Sequence, residues 1–194
     1  MKTPSLSILI PACNEGGAIT ATLSDIIAAV DRHEIDTEIV VVDDSSDDNT
    51  AEVVEAFAAD EPRVRIVTRE SPRGFGRAVR TGLKALSGEV VVIAMADQSD
   101  DPEDIVRYYQ TINDGYDCVF GSRFIAGAEV VDYPIVKRLC NRLTNKLIQL
   151  MFWTHFNDPT IAFKAYRREV VESVRVYGEL HRYIPLLAKW EGFT

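Results

Sequence analysis

Apolar runs of strand length alternate with longer stretches of helical period along the first two thirds of the chain. Five runs predict strands: LSILIP, TEIVVV, RVRIV, GEVVVIAM and the shorter DCVF. Helices are predicted along Ile19, Leu23, Ile26, Ile27 and Val30, over Thr50 to Ala59, through Ala78, Val79, Leu83 and Leu86, and from Pro102. Continuous Val and Ile runs indicate strands buried on both faces, and helix-length connections imply parallel neighbours. The pattern therefore predicts an α/β fold with a Rossmann-like, mostly parallel sheet sandwiched by helices.

The composition indicates one compact domain and argues against a nucleic-acid partner. Of the 194 residues, 46% are hydrophobic, which is enough for one sizeable core. The net charge of -9 is unsuited to neutralising nucleic-acid phosphates. Cys13, Cys118 and Cys140 lie far apart without CxxC spacing, which favours a reducing compartment over a disulfide framework or a zinc site. Because neither a cleavable leader nor an apolar run of membrane-spanning length is evident, we expect a chain that is soluble or attached to a membrane surface.

Polar segments follow four of the predicted strands: PACNEGG, DDSSDDNT, ADQSDDPE and GSRF. In an open parallel sheet, ligands bind at the carboxyl ends of the strands, where loops and helix N-termini converge. Asp48 and Thr50 are best explained as helix caps, because such residues satisfy unpaired backbone donors. Asp43 and Asp44 lie too close to the strand end for capping. Their charges would repel Asp97 unless a cation or hydrogen-bond donors lay between them, so the sequence predicts a ligand site at this edge.

Two other interpretations of these loops fail on spacing. An EF-hand loop that began at Asp43 would need Gly at its sixth position and Glu at its twelfth, where the chain has Asp48 and Val54. The segment GFGRAV begins like a dinucleotide fingerprint, but it lacks the third glycine and does not directly follow a strand. Neither a calcium loop nor a dinucleotide site is therefore expected.

Six segments occur in the order found in one enzyme family: SILIPACNE, VVVDDSSDDNT, RESPRGFGRAVRTG, ADQSDDPEDI, FGSRF and DPTIAFKAYRREVV. With these segments the chain resembles family 2 glycosyltransferases of the GT-A fold. Within that family it is most similar to the branch of dolichol-phosphate mannosyltransferase and bacterial polyprenyl-phosphate sugar transferases. The resemblance covers nearly the whole chain. It implies that residues 1–194 form a single catalytic domain without a C-terminal segment found in relatives.

The resemblance implies a nucleotide-sugar site in the first half of the chain, for GDP-mannose or a UDP-hexose. Asp43 matches the carboxylate that meets the nucleobase, and Asp44 lies beside it near the ribose. Cys13 stands where an aromatic residue is common, which weakens base stacking. The implied donor contacts are Pro11, Ala12, Asn14, Glu15, Val42, Asp43, Asp44, Ala96 and Asp97.

The resemblance also implies a divalent cation, Mg²⁺ or Mn²⁺, at the family's DxD motif. Asp97 matches the last Asp of that motif, whereas Met95 occupies the first Asp position. Ser99 and Asp100 are the remaining candidate ligands. A site that rests mainly on Asp97 is chemically tolerable, because Mg²⁺ often takes one or two protein carboxylates and completes its shell with substrate phosphates and water.

A polyprenyl phosphate is the acceptor that the resemblance implies. Arg123 matches the arginine that faces the phosphates, Lys137 falls where a second arginine is common, and Asn141 falls where a hydroxyl residue usually touches the acceptor. The expected catalytic residues of an inverting transfer are Asp97, Arg123 and Lys137. The cation and the guanidinium would stabilise the departing nucleoside diphosphate, and the anionic acceptor would need no general base. Such a chain would act in the cytoplasm, peripheral to the cytoplasmic face of a membrane.

Residues 134–156 form an amphipathic segment whose apolar face carries Ile135, Leu139, Leu143, Leu147 and Leu150. By itself such a stripe favours a helix that faces the protein core. Beside the resemblance, it is also compatible with a helix at a membrane surface. The neighbouring Arg138 and Lys146 are typical of a solvated helix face. Near the C-terminus, HRYIPLLAKWEGFT resembles a further helix of the family.

Three other functions remain open on the sequence alone. Met95 and the short C-terminus make a non-catalytic sugar-nucleotide-binding relative credible. A glycosyltransferase that acts on a saccharide acceptor would need a general base. A nucleotidyltransferase would need a glycine-rich, basic loop after the first strand, and PACNEGG contains no basic residue. A transfer assay with and without divalent metal would distinguish best among these functions.

Overall fold

The computed structural model describes residues 4–124, 135–174 and 183–194. These residues form a six-stranded sheet in the order β3, β2, β1, β4, β6, β5. The strands are β1 Leu6–Ala12, β2 Thr37–Asp43, β3 Val64–Thr68, β4 Val90–Ile93, β5 Cys118–Phe120 and β6 Lys164–Arg167. The helices are α1 Ile19–Arg32, α2 Thr50–Asp60, α3 Phe75–Ala85, α4 Pro102–Asn113, α5 Ile135–Phe152, α6 Arg168–Ser173 and α7 Ile184–Trp190.

The five strands predicted from the apolar runs are all present, and the sheet contains a sixth. β1 pairs in parallel with β2 and β4, and β2 pairs in parallel with β3. β6 runs antiparallel to both β4 and β5. The pattern did not predict β6, because KAYR has only four residues and carries a charge at each end. Since β5 thus runs parallel to β4, the ends of β1, β2, β4 and β5 meet the start of β6 at one edge, called here the carboxyl edge.

Alternate residues of the strands build an apolar core on each face of the sheet. Ile8 and Ile10 of β1 belong to the layer that includes Leu23 of α1 and Ile105 of α4. Leu9, which lies between them, packs in the opposite layer with residues of α3, α6 and α7. Every residue of β1 is buried, which explains its continuous apolar run. The predicted α/β sandwich with a mostly parallel sheet is confirmed.

Helix α5 turns its apolar stripe outward, so the expectation of a core-facing stripe is wrong. The exposed side chains are Leu139, Leu143, Leu147 and Leu150. Asn145 and Ile148 occupy the buried side instead. Periodicity shows that one helix face is apolar, but it does not show which way that face points. The helix ends at Phe152, before the end of the predicted segment, and the side chain of Ile135 lies outside the described residues.

The length and apolar character of the described helices show whether any of them could span a membrane. None of them combines the length and the apolar character that are needed to cross a bilayer.

Candidate active site

A crevice opens at the carboxyl edge between β1 and β4. The chain proceeds from β1 through β2 to β3 on one side and then crosses to β4 on the other, so the crevice lies at the topological switch point. Its lining residues are Pro11, Ala12, Cys13, Glu15, Asp44, Phe75, Ala78, Met95 and Ala96. Five of the nine expected donor contacts are therefore gathered here. The expected contact Val42 is fully buried in the core, where its side chain packs with Leu9.

The loops after β1 and β2 are tied together by hydrogen bonds that cross between them. The backbone N–H of Asn14 donates to Ser46 Oγ at 2.9 Å, and the N–H of Asp47 donates back to Asn14 Oδ1 at 2.7 Å. The N–H of Glu15 donates to Thr50 Oγ1 at 2.9 Å. Both loops therefore form one hydrogen-bonded wall of the crevice.

Three left-handed residues mark the loops that follow β1, β2 and β4. Asn14, Ser45 and Gln98 have φ values of 61°, 59° and 60°. For residues other than glycine this conformation is uncommon, and it persists where surrounding contacts hold it. Ser45 is held by its hydroxyl, which donates to Arg69 O at 2.7 Å. The loops after three neighbouring strands therefore each contain a turn with a fixed left-handed residue.

Arginine and backbone donors neutralise the acidic segment after β2. Asp44 is 4% exposed, pairs with Arg69, and accepts from the backbone N–H of Gly74 at 2.6 Å. Asp47 pairs with Arg73. Arg69 and the Gly74 N–H therefore offset the charge of Asp44, and Arg73 offsets that of Asp47. Both oxygens of Asp44 are engaged by the protein. The main role of this carboxylate in the crevice is therefore to hold the loop before α3 in place.

The capping expectations for Asp48 and Thr50 have different outcomes. Asp48 Oδ1 accepts from the backbone N–H of Thr50 at 3.0 Å, so this carboxylate does satisfy a donor of the first turn of α2. It also accepts from the N–H of Gly16 at 3.1 Å. Thr50 does not cap the helix that it begins, because its hydroxyl oxygen receives the N–H of Glu15. A Cβ at Gly16 would overlap Asn49 Oδ1, the end of an exposed side chain, which would have to turn aside.

Asp43 is 3% exposed at the end of β2. Its two carboxylate oxygens lie 3.4 Å from the backbone N–H of Ser46, which is the long end of the hydrogen-bonding range. The carboxylate is buried and only weakly engaged by this donor.

The loop after β4 presents Asp97 and shields Asp100. Asp97 is exposed, and its Oδ1 accepts from the N–H of Ser99 at 3.1 Å. Asp100 Oδ2 accepts from the N–H of Met95 at 2.8 Å, and burial raises the pKa of Asp100 to about 6. Asp100 therefore holds the backbone of residues 95–97 in place through its bond to Met95 N–H, while Asp97 presents its carboxylate to solvent. Burial, with Asp97 and Asp48 nearby, also raises the pKa of Glu15.

Asp97 offers few protein ligands to a divalent cation. Within the described ranges, no group of three or more His, Cys, Asp or Glu side chains could hold a metal ion. One exposed carboxylate is nevertheless compatible with Mg²⁺ or Mn²⁺ if phosphate oxygens and water provide the other ligands. The residues present fit a cation that arrives with a diphosphate, and they do not form a closed protein cage.

Arg123, which follows β5 at the same edge, forms a forked ion pair with Asp158. Its Nε donates to Asp158 Oδ2 at 2.7 Å, and its Nη2 donates to Asp158 Oδ1 at 2.8 Å. The Asp158 side chain is fully buried and also accepts from Asn145 Nδ2 of α5 at 3.1 Å. Burial by itself would raise the pKa of Asp158, but the bonds from Arg123 prevail and lower it, so the carboxylate is ionised.

Asp158 is a site residue that the sequence analysis missed. It lies in the segment DPTIAFKAYRREVV, which supported the resemblance, but no role was assigned to it. The pairing joins residues 35 positions apart in the chain and depends on the antiparallel β6, whose preceding loop reaches the carboxyl edge.

The expected acceptor residues on α5 are described only in part. The side chain of Lys137 lies outside the described residues, so its expected role is untested. Asn141 is half-buried, one helical turn before Asn145. Arg142 approaches from the same helix, with its guanidinium carbon 5.4 Å from the centre of the Phe124 ring. The guanidinium carbon of Arg123 lies 5.8 Å from the centre of the same ring, so two arginines adjoin Phe124.

A family comparison places these features in context. The sequence model of the family described as "Glycosyl transferase family 2" matches residues 7–175. That range includes the whole sheet except Leu6, and all the loops of the carboxyl edge described above.

Two curated relatives match most of the chain. It is 33% identical over 175 residues to a dolichol-phosphate mannosyltransferase of Pyrococcus furiosus, covering 88% of this chain and 48% of that protein. It is 32% identical over 191 residues to an undecaprenyl-phosphate 4-deoxy-4-formamido-L-arabinose transferase of Shewanella sediminis, covering 97% of this chain and 55% of that protein. The chain therefore spans about half the length of these curated relatives.

Solved structures share the fold at lower sequence identity. Glucosyl-3-phosphoglycerate synthase from Mycobacterium tuberculosis, in complex with Mn²⁺, UDP and glucosyl-3-phosphoglycerate, superposes with a TM-score of 0.71 at 22% identity, covering 95% of this chain and 64% of that one. The mannosyltransferase PcManGT from Pyrobaculum calidifontis, in complex with GDP-Man and Mn²⁺, gives 0.68 at 21% identity, covering 100% and 54%. The expected GT-A architecture is thereby confirmed.

Proposed function

Because the chain belongs to glycosyl transferase family 2, we propose that it transfers a sugar from a nucleotide-diphosphate sugar to a polyprenyl phosphate, with inversion at the anomeric carbon. The observation that carries this proposal is the crevice at the β1/β4 switch point, with an exposed Asp97 at its rim and Arg123 on the same sheet edge. The relatives named for dolichol and undecaprenyl phosphate support a lipid phosphate as the acceptor class.

The donor nucleotide occupies the crevice in this proposal. Its base and ribose lie along Pro11, Ala12 and Glu15, and the buried Asp43 supplies an acceptor for a base N–H at the end of β2. Asp44, already held by Arg69, positions this wall. Cys13 takes the place of a stacking ring, and burial raises the pKa of its thiol above the usual range. GDP-mannose and a UDP-hexose are the candidate donors.

Asp97, together with the donor diphosphate, would hold the proposed cation, Mg²⁺ or Mn²⁺. When bound, it would stabilise the negative charge of the departing nucleoside diphosphate. Asp97 provides the anchoring carboxylate, and Asp100 holds the Met95 backbone that leads into it. Ser99 contributes its backbone N–H, which orients Asp97.

The chain's own residues then orient and polarise the reacting groups. Asp158 fixes two nitrogens of Arg123, so the guanidinium meets phosphate oxygens in one orientation and loses little side-chain entropy on binding. The acceptor oxygen is already anionic at neutral pH, so its attack requires no general base. Lys137 and Asn141 of α5 are proposed to contact the acceptor phosphate. We place this reaction in the cytoplasm, at the cytoplasmic face of a membrane.

Met95 favours one second candidate, a relative that binds sugar nucleotides without transferring the sugar. It lines the crevice at the first position of the DxD motif, where a thioether replaces the expected carboxylate. A hard cation prefers oxygen ligands, so the remaining site rests on one protein carboxylate.

The decisive measurement is transfer from GDP-mannose or UDP-glucose to undecaprenyl phosphate dispersed in detergent, with Mn²⁺ or with a chelator. We expect transfer that requires metal and that falls at least about a hundredfold in Asp97→Ala, the usual scale for losing a group that stabilises transition-state charge. Asp114→Ala, which removes an exposed charge at the far end of α4, serves as the control and should transfer normally.

Two other outcomes would redirect the assignment. Nucleotide binding without transfer under any condition would support the second candidate. Equal rates for Asp97→Ala and the unmodified chain would remove Asp97 and its cation from the mechanism.

A further inference from the structure

Two arginines from different parts of the chain meet at the ring of Phe124. The guanidinium carbon of Arg142, on α5, lies 5.4 Å from the ring centre, and that of Arg123 lies 5.8 Å from it. The two guanidinium carbons are therefore no farther apart than the sum of these distances. An aromatic ring attracts a cation at this range, so Phe124 helps to hold both arginines at the carboxyl edge.

Arg142 lies on the side of α5 that adjoins this edge. Asn145 of the same helix is 2% exposed and donates to Asp158, the ion-pair partner of Arg123. Residues three positions apart are neighbours on a helix surface, so Arg142 lies beside the residue that contacts Asp158. The side chain of Arg142 is nevertheless exposed. It is therefore accessible to a ligand that binds at the edge.

The charge of Arg123 is balanced within the protein, whereas that of Arg142 is not. Arg123 pairs with the buried Asp158 through two hydrogen bonds, so this pair has no net charge. Among the described residues, no carboxylate pairs with Arg142. The segment from residue 133 to residue 157 contains no Asp or Glu in a chain of net charge -9. Its basic residues, called here the basic α5 region, are Lys137, Arg138, Arg142 and Lys146. A site with such an excess of positive charge attracts an anion.

The strand order indicates which phosphate would meet Arg142. The donor crevice opens between β1 and β4, and Asp97 follows β4. Arg123 follows β5, which the strand order separates from β4 by β6. In an inverting transfer the acceptor attacks from the side opposite the departing diphosphate, so the acceptor phosphate must bind apart from the diphosphate. The position of Arg142 therefore favours the acceptor phosphate over the donor.

We propose that Arg142 binds the phosphate of the acceptor together with Arg123. The inference rests on the proposed function and names one further residue for its acceptor site. A phosphate monoester carries about two negative charges at pH 7, and its oxygens can accept from two guanidiniums at once. Arg123 supplies a fork that Asp158 holds in one orientation. Arg142 supplies the positive charge that the Arg123–Asp158 pair lacks.

The test measures binding of an acceptor phosphate apart from transfer. Farnesyl phosphate, a short polyprenyl phosphate, is titrated into the unmodified chain by calorimetry, with neither nucleotide nor metal present. We expect Arg142→Gln to weaken this binding about tenfold or more, which is the scale for a hydrogen bond to a charged group. Arg142→Lys keeps the charge and loses the planar fork, so it should recover part of the affinity. In the transfer assay, Arg142→Gln should raise the KM for the acceptor and leave the affinity for the nucleoside diphosphate unchanged.

Lys146 provides the matched control. It bears the same charge, is exposed, and lies one helical turn after Arg142 on α5. Of these two described residues, only Arg142 lies over the Phe124 ring. Lys146→Gln should therefore bind farnesyl phosphate like the unmodified chain. Because both changed residues are exposed, circular dichroism should show intact folding in both variants.

A second variant tests the contribution of the ring. Phe124→Leu keeps both arginines and removes the surface on which their guanidiniums lie. We expect it to weaken farnesyl phosphate binding about threefold, since the attraction between a cation and an exposed ring is modest.

Three results would overturn the proposal. The first is farnesyl phosphate binding that Arg142→Gln leaves unchanged. The second is equal weakening by Arg142→Gln and Lys146→Gln, which would assign the effect to the overall charge of α5. The third is a loss of nucleoside diphosphate affinity in Arg142→Gln as large as the loss for farnesyl phosphate, which would assign Arg142 to the donor.

The outcome for Arg142 can be separated from the outcome for the proposed function. Transfer by the unmodified chain with normal acceptor use in Arg142→Gln would retain the activity and remove Arg142 from the acceptor site. Farnesyl phosphate binding that requires Arg142, in a chain that transfers no sugar, would support the phosphate site and contradict the proposed activity.

Discussion

At the scale of single residues, the aspartates of the carboxyl edge have two roles. Some hold the loops in place through hydrogen bonds, and others are left open for ligands. Asp44, Asp48 and Asp158 all accept hydrogen bonds from the protein itself. Asp97 accepts from the nearby N–H of Ser99 but is not paired with an arginine among the described residues, and it remains exposed. The sequence predicted that charge collects here, but Asp44 and Asp97 differ in partners brought by distant segments. Local pattern cannot supply such partners, because Arg69 and Gly74 lie 25 and 30 positions from Asp44 in the chain.

Replacing Asp158 by Asn should weaken both stability and catalysis. The Arg123 guanidinium would lose a buried anionic partner, which costs roughly 3 kcal/mol in the free energy of unfolding at pH 7. Because the folded pKa of Asp158 is lowered, its contribution is present above the unfolded value near about 4 and is lost as pH falls through the folded value. The difference between the two proteins in urea unfolding should therefore shrink below about pH 4. Donor affinity that stays normal while the transfer rate falls would identify Asp158 as a positioning residue.

Replacing Asp100 by Asn should stabilise the protein at neutral pH, whereas replacing Asp158 destabilises it. The folded pKa is raised to about 6, so Asp100 favours the folded state below its unfolded pKa, and that advantage is lost as pH rises through about 6. Asn keeps an oxygen that can accept from Met95 N. Asp100→Asn should match the unmodified chain near pH 4 and be more stable by on the order of 2 kcal/mol at pH 8. Urea unfolding in a metal chelator gives both values, and equal stability at pH 8 would contradict the expectation.

At the scale of elements, the sequence predicted which segments are regular better than how they are oriented. The helices α1 to α5 and the five predicted strands are all present, because their apolar periods are long or continuous, and the helix expected near the C-terminus is present as α7. β6 was missed, since its burial depends on the strands at either side. For α5, the helical period was predicted correctly, but the apolar face points to solvent and not to the core. The reason is that Asn145 on the opposite face bonds to Asp158, a contact that exists only in the folded chain.

Helix α3 owes its position against β1 to a glycine. A Cβ at Gly82 would overlap the side chain of Leu9, which is fully buried. Phe75 and Ala78 of the same helix line the crevice. Gly82→Ala should cost about 1 to 3 kcal/mol through overpacking and should weaken nucleotide binding by displacing α3. Calorimetric titration with the nucleoside diphosphate tests the second effect.

Gly17 offers a matched control for Gly82. A Cβ there would meet no atom within 4 Å, and the residue lies just before α1. Gly17→Ala should change stability by less than about 0.5 kcal/mol and leave nucleotide affinity intact. Equal effects of the two substitutions would show that packing of α3 on β1 does not control the crevice.

At the scale of the whole molecule, the strand order decides where the site lies. The alternation of strands and helices was enough to predict a ligand edge, because parallel strands that continue on both sides of β1 leave a switch point there. The net charge of -9 was less informative, since acidic side chains at this edge are paired with Arg69 and Arg73. The basic α5 region is likewise hidden in an average over the chain.

The hydrogen bonds that cross between the loops after β1 and β2 should also slow the exchange of the loop amides with deuterium. The backbone N–H groups of Asn14, Glu15 and Gly16 all donate to side chains of the other loop. Amides in connecting loops normally exchange with deuterium quickly, because their bonds open locally. Here the two loops must separate together, so exchange at these three amides should follow cooperative opening of the β1–β2 unit. The entropy of ordering this wall is then lost during folding, and an incoming nucleotide meets it already rigid.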